Sequence, residues 1–318
     1  MNNKKIKDIE KQYGTTHKIA LYCNSVEERE TKSKETKKYL LFHLTDGEKE
    51  IDAKRWNYSM EDFENAQYPV KIPGVLILKL DVQEYNGQPC YIIQGYTSGD
   101  KYPATMFAKK APIDAEGTYQ KILADAREYR EPLASVITTL YEENHEKLVK
   151  WGAAKRVHHN VSGGLLYHIS RMHDMAKKVG DLYACDKELL MAGVDIHDIG
   201  KLLELETDDL GVSDYTVEGN LKGHIVLGYQ MLADCIKEHE FEKTTDLLKL
   251  EHMILSHHGK MEWGSPVIPA FLEANLLHYL DLIDSQGEQI ERVTREAQPG
   301  ISRPPYCGAM KNNILFKG

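Results

Sequence analysis

The stretch 187-KELLMAGVDIHDIGKLLEL-205 carries apolar residues at intervals of three and four, the pattern of an amphipathic helix, and sets His197 and Asp198 side by side near the C-terminal end of that helix. Neighbouring helical residues point about 100° apart, so the pair cannot share one apolar seam, but both can hold a metal lying over that edge. The same spacing recurs in 118-TYQKILADAREY-129, 132-PLASVITTLYEENHEKLVKWG-152, 162-SGGLLYHISRMHDMAKKVG-180, 223-GHIVLGYQMLADCIKEHE-240, 244-TTDLLKLEHMILSHHG-259 and 268-IPAFLEANLLHYLDLIDS-285. From residue 118 almost to its end the chain reads as an all-α bundle.

The helices around this stretch carry further ligand-type residues. His168 lies on the helix before it, His224 opens the helix after it, the vicinal His257-His258 closes the next, and Asp281 falls in the one that follows; 12 of the 14 histidines lie between His145 and His278. Bundles collect metal ligands from facing helices, and imidazoles mixed with carboxylates suit Mn²⁺, Fe²⁺, Co²⁺, Ni²⁺ or Zn²⁺. Seven ligands are too many for one ion and suit two divalent ions, manganese first. His168, His197 and Asp281 serve one, His224, His257 and His258 the other, and Asp198 bridges them. Two ions ~3.5 to 4 Å apart clamp a phosphate and lower the pKa of a shared water, so phosphoester hydrolysis with Asp198 at its centre is the expected chemistry.

Several neighbours have two readings. Lys201, one turn after Asp198, pairs with a phosphate oxygen or compensates the helix dipole. Asp284, one turn after Asp281, contacts a ribose hydroxyl or ends the helix, and His278 stands behind the ligands. His173, five positions from His168 on another helical face, is expected to face solvent. His239 and His252 are expected to stay outside the metal set, and His158-His159, before Gly163-Gly164, has a structural capping reading ahead of a substrate-side one.

The front of the chain has a different texture. Segments 17-HKIALYCN-24, 38-KYLLFHLTD-46, 50-EIDAKRW-56, 71-KIPGVLILKLDV-82 and 89-PCYIIQGY-96 are rich in strand formers and separated by turn signals such as Asp46-Gly47 and Asn86-Gly87. A short helix, 59-SMEDFENAQ-67, opens on Ser59 between the third and fourth. Three strands, a helix and two strands give the order of an OB-fold barrel, which often binds single-stranded nucleic acid. Lys54, Arg55 and Trp56 cluster cations with a ring on which a base can stack, with Tyr58, Phe42 and Tyr91 as further candidates; strand alternation gives each ring a core reading as well. The basic run Lys32 to Lys38 reads as a solvated loop. The expected organisation is an α+β, multidomain chain: an OB-fold β-barrel over 1–97, a linker over 98–117, an all-α bundle over 118–285, and a tail over 286–318 that packs back on the body.

At 318 residues, with 42% hydrophobic and 28% charged, the chain has room for two domains and is neither disordered nor fibrous. The net charge of −9 is uneven: residues 1–110 hold 18 Lys and Arg against 16 Asp and Glu, and the rest 22 against 33. The front can meet a polyanion, whereas the acidic rear needs cations to do so. With no apolar run near the ~18 residues of a membrane span and no greasy leader, a cytoplasmic location without membrane contact is expected. The five cysteines form no C-x-x-C pair and read as reduced buried thiols. Sheet edges and helix faces left to cover suggest a homo-oligomer.

The set His168, His197-Asp198 and Asp281 resembles the H…HD…D signature of the HD-domain metal-dependent phosphohydrolases, and His224 with His257-His258 resembles their two-metal branch. With the OB-like front, the segments 162-SGGLLYH-168, 195-DIHDIGK-201, 223-GHIVLG-228, 254-ILSHHG-259 and 278-HYLDLID-284 make the chain from about residue 15 onward similar to YhaM-type 3′-to-5′ exoribonucleases. The resemblance implies release of 5′-nucleotides from the 3′ end of single-stranded RNA, with single-stranded DNA as a second substrate. An HD phosphohydrolase of small or cyclic nucleotides, and a nucleic-acid-binding adaptor with structural metals, are the alternatives. Tyr167 where the family has a polar residue, Asp195 where it has an apolar one, and the charged loop 26-VEERETKSKETK-37 depart from the pattern.

Overall fold

The computed structural model describes residues 4–31, 37–67, 69–153, 161–208, 210–296 and 306–313, and they fall into two compact units, Met1–Lys109 and Lys110–Gly318.

The first unit is a closed barrel of β1 (Thr15–Glu30), β2 (Lys38–Thr45), β3 (Glu50–Trp56), β4 (Gly74–Tyr85) and β5 (Gln88–Ser98) in the order β1-β2-β3-β5-β4, with β1 also pairing β4. Period-two alternation fills it: Ile19, Leu21 and Cys23 from β1, Leu40, Phe42 and Leu44 from β2, and Leu76, Leu78, Leu80 and Val82 from β4 all point inward. Short α1 (Ile6–Ile9) adds two isoleucines to that core, and Asp46 fixes it by accepting the Ile6 N–H at 2.6 Å. Helix α2 (Met60–Glu64) begins at Ser59, whose hydroxyl accepts the Asp62 N–H while Asp62 accepts the Ser59 N–H. Strand order and helix position fit an OB-fold. β1 runs six residues beyond the expected 17–24, into the stretch read as a charged loop: a bulge between Cys23 and Ser25 bends it, so one strand pairs β4 through its first half and β2 through its second. Glu27 and Glu28 stay outside, paired with His43 and Lys38.

The second unit is built of α3 (Ala115–Ala126), α4 (Leu133–Glu143), α5 (His145–Leu148), α6 (Gly164–Gly180), α7 (Lys187–Ile196), α8 (Lys201–Glu204), α9 (Val217–Glu238), α10 (Thr245–Ser256) and α11 (Leu272–Glu296), around one apolar core. Three details differ from the sequence reading. The helix expected over 132–152 breaks at Asn144, whose side-chain amide donates to Leu140 O in competition with the helical ladder. The run expected over 187–205 breaks after Ile196 into a tight turn at His197–Gly200 and resumes only as the single-turn α8, after which Leu205–Thr207 (β6) pairs with Ser213–Tyr215 (β7) in a hairpin. The last helix continues eleven residues past 285, into the segment read as tail, where Ser285 and Thr294 turn their hydroxyls back onto helical carbonyls. A two-residue ladder, β8 (Tyr306–Cys307) with β9 (Asn312–Asn313), buries Cys307. Among the described residues no helix is long and apolar enough to cross a membrane.

Candidate metal centre

Five elements deliver the expected ligands to one place. His168 lies on the first turns of α6, His197 ends α7 with Asp198 in the tight turn behind it, His224 lies on α9, His257 and His258 follow α10, and Asp281 sits in α11. Two glycines make the approach possible. A Cβ on Gly200 would lie 2.0 Å from His224 O, so only glycine lets the Asp198 turn pack against α9. Gly223, at φ 72°, breaks α9 and starts a new helical segment at His224. Glu204 caps that segment, accepting both the His224 N–H at 3.0 Å and its Nδ1–H at 3.1 Å.

The ligand atoms form two groups, His168/His197/Asp281 and His224/His257/His258. Asp198 stands between them: Oδ2 lies 3.5 Å from His168 Nε2 and 3.4 Å from His197 Nε2, while Oδ1 lies 3.5 Å from His224 Nε2 and 3.7 Å from His257 Nε2. Atoms sharing one ion at ~2.0 to 2.2 Å are themselves about 3 to 3.5 Å apart, so each carboxylate oxygen is placed to join one group.

Every imidazole has its other nitrogen engaged. Nδ1 donates to Asp284 from His168 at 2.7 Å, to Val194 O from His197 at 2.8 Å, to Ile254 O from His257 at 2.7 Å and to Trp263 O from His258 at 2.8 Å. With Nδ1 protonated, Nε2 presents a lone pair inward. His168 Nε2 and His197 Nε2 thus face each other at 3.3 Å, and His224 Nε2 and His257 Nε2 are buried without a hydrogen-bond partner among the described residues. Lone pairs converging in this way suit a cation, and the donor set fits a pair of first-row divalent ions.

The electrostatics favour the ligand forms of Asp198, His257 and His258, whereas at His197 burial is outweighed by the neighbouring Asp198 and the shift is upward. Burial opposes ionisation of Asp198, but the Lys201 ammonium, followed by His197, outweighs it and holds the carboxyl well below its ordinary range. Burial drives His257 well below the usual imidazole range and, with His224, lowers His258, keeping both in the neutral form that binds metal. Lys201 is 8% exposed, its Nζ 2.7 Å from Asp198 Oδ2; burial works against its charge, and Asp198 more than restores it. Two cavities open from the centre. One of ≈ 250 Å³ is lined by Asp198, Lys201, His258, Trp263, His278 and Asp281, and one of ≈ 500 Å³ extends from Lys201 and His224 toward Tyr215 and Lys311.

Other expected positions resolve differently. Asp284 does not face the opening to meet a ribose: it is fully buried and orients His168, while its other oxygen takes Arg171 Nε at 2.5 Å. His173 is not solvent-facing but 1% exposed, donating to Asp195 at 2.7 Å and Asp125 at 3.0 Å. Asp195 also accepts Tyr129 OH on its side chain and Tyr141 OH on its carbonyl, each at 2.8 Å. The departure at Asp195 is therefore the hub of a polar network behind the ligands. His278 donates to His257 O at 2.9 Å, whereas His239 meets Glu143 and His252 accepts from Ala270 N, both apart from the centre. His158-His159 and Lys32 to Thr36 lie outside the described residues. Neither Glu204 nor Trp263 sits at a ligand-type spacing, and an aromatic in a polar loop is the signal that marks Trp263 in the sequence.

In the barrel, Lys54, Arg55 and Trp56 do not form one cluster. Alternation puts Lys54 and Trp56 on one face, where Trp56, 40% exposed, lies 4.8 Å from the Tyr39 ring and Lys54 Nζ sits 5.4 Å over it. Arg55 turns to the other face and stacks on Tyr58 at 4.1 Å and Tyr96 at 5.1 Å. Phe42 and Tyr91 are core residues, not stacking candidates.

The family model of the HD domain matches residues 165–297, a span that includes all seven of the expected ligand residues. HD domains are generally metal-dependent hydrolases, and the chain thus joins a closed five-stranded barrel to a helical HD domain.

Proposed function

We propose that this HD-domain chain is a metal-dependent 3′-to-5′ exoribonuclease that shortens single-stranded RNA, and with it single-stranded DNA, to nucleoside 5′-monophosphates. The observation that carries the hydrolytic part is the Asp198 carboxylate, one oxygen toward each three-residue ligand group. The direction of attack and the polymeric substrate rest on the resemblance to YhaM-type enzymes, supported by the cation-and-ring faces of the barrel.

His168, His197 and Asp281 would hold one divalent ion and His224, His257 and His258 the other, with Asp198 shared. Bound there, the ions supply Lewis-acid polarisation of the phosphate and acidify water. Asp198 fixes the spacing of the two groups, and Asp284, Glu204 and three backbone carbonyls keep each imidazole aimed. Lys201, charged and lining both cavities, donates to a non-bridging phosphate oxygen and stabilises charge that grows as phosphorus becomes five-coordinate. In the reaction, water oxygen bonds to the terminal phosphorus and the bond to O3′ of the penultimate nucleotide breaks. One 5′-nucleotide and a strand with a new 3′-hydroxyl result.

Purified protein with Mn²⁺ and 5′-end-labelled RNA tests this. A ladder retreating from the 3′ end, with mononucleotide products, supports it. Intact RNA beside rapid hydrolysis of small nucleotide esters would replace it with the small-nucleotide hydrolase.

A further inference from the structure

The two cavities at the metal centre share Lys201, His258, Trp263, Leu282 and Ser285, and they differ in what else they contain. The smaller, ≈ 250 Å³, has the bridging Asp198 and Asp281 on its wall, the surroundings of a phosphate. The larger, ≈ 500 Å³, begins at His224 and His258 of the second ligand group and extends from them to Tyr215 of the β6–β7 hairpin, Gln286 and Gln289 of α11, and Lys311 between β8 and β9. Its size lies in the ordinary range of about 300 to 1,000 Å³ for small-ligand sites.

Its chemistry is specific in kind. Trp263 and Tyr215 are 44% and 45% exposed, large rings at the side of a cavity rather than in the core. Lys260 Nζ stands 4.3 Å over the Trp263 ring, and the Trp263 carbonyl accepts His258 Nδ1 at 2.8 Å. The turn that carries the indole therefore also aims His258, which fixes the backbone of that turn beside the centre. The amides of Gln286 and Gln289 each offer a donor and an acceptor, enough to meet the edge of any base without selecting one.

We propose that the larger cavity seats the nucleoside whose phosphate occupies the smaller one, with its base stacked on Trp263 and Tyr215 as the second ring. This rests on reading the centre as a nucleotide phosphoesterase, and it identifies the ligand class as a nucleoside 5′-monophosphate without base preference. The ring contact is what distinguishes a nucleotide from any other phosphate ester at this site.

Calorimetric titration of the Mn²⁺-loaded protein with AMP and, separately, ribose 5-phosphate tests it. The wild type should bind AMP tighter by ~5- to 150-fold, the range of one stacked base. Trp263→Ala should remove most of that preference and Trp263→Phe restore part of it, while manganese content is unchanged because the backbone carbonyl on His258 remains. Tyr215→Ala should lower the preference by a smaller factor. Equal affinities for the two ligands in the wild type, or a preference that survives in both alanine variants, would overturn the proposal. A protein that prefers AMP but leaves RNA intact would refute only the exonuclease reading, and one that degrades RNA with no such preference would refute only the nucleoside site.

Discussion

Asp195 and Asp198 are three residues apart, both are buried, and each gathers histidine around it, yet the two clusters are built by opposite rules. Around Asp195 every polar atom meets a protein partner: His173 uses one nitrogen on Asp195 and the other on Asp125, and Asp125 also takes Lys177. Around Asp198 each histidine spends Nδ1 on an acceptor and leaves Nε2 directed at the others. Helix α6 contributes to both, with His168 on one side and His173 on the other. A buried histidine with an aspartate on Nδ1 is thus either structural or a ligand, and the surroundings of its second nitrogen decide which.

That contrast can be broken from either side. Asp198→Ala should reduce phosphoester hydrolysis to background while circular dichroism stays unchanged, since the one carboxylate shared by both groups is lost; near-normal rates at saturating Mn²⁺ would sink the scheme. Asp195→Ala should act on stability instead, lowering it by about 3 to 5 kcal/mol in urea unfolding because His173 keeps only Asp125, its Nδ1 is left buried without an acceptor, and the Tyr129 hydroxyl loses its acceptor as well. Asp284→Asn lies between the two: His168 keeps an acceptor but the charge shared with Arg171 is lost, so Mn²⁺ affinity should fall ~10- to 100-fold with a smaller loss of stability than Asp195→Ala.

A pH scan sharpens the same division. Burial lowers the pKa of His173, but Asp195 overrides it and the net shift is upward from the ordinary 6.5. A raised folded-state pKa gives stability that is fully present below the unfolded value and is lost as pH rises through the folded one. The stability gap between wild type and His173→Gln should therefore be widest near pH 6 or below and narrow as the solution becomes alkaline; a gap that grows with pH would contradict an imidazolium between Asp195 and Asp125. The smallest effect is expected in the barrel, where Lys54→Ala should reduce the salt slope of RNA binding by roughly 0.7, one phosphate contact on a single strand.

Legibility in the sequence followed the same physics. Strand alternation exposed the barrel, because each inward residue announces itself two positions later, and histidines on successive amphipathic helices exposed the ligands. Partners from distant elements were hidden. An offset of five residues turns His173 roughly 140° from His168, a rotation that points to water on a lone helix; here it meets α3 and α7. Asp284 shares a face with Asp281, but that face holds both nitrogens of His168, so the second carboxylate backs the ligand instead of reaching the substrate. Tyr39 pairs with Trp56 across strands, an adjacency that residue spacing does not encode.

The central claim is a two-ion centre joined by Asp198, and elemental analysis of protein purified with Mn²⁺ tests it most directly. Wild type and His173→Gln should each carry two manganese ions per chain, one for each ligand group, and Asp198→Ala no more than one. A wild-type stoichiometry of one or less, or two ions retained after Asp198 is replaced, would contradict it.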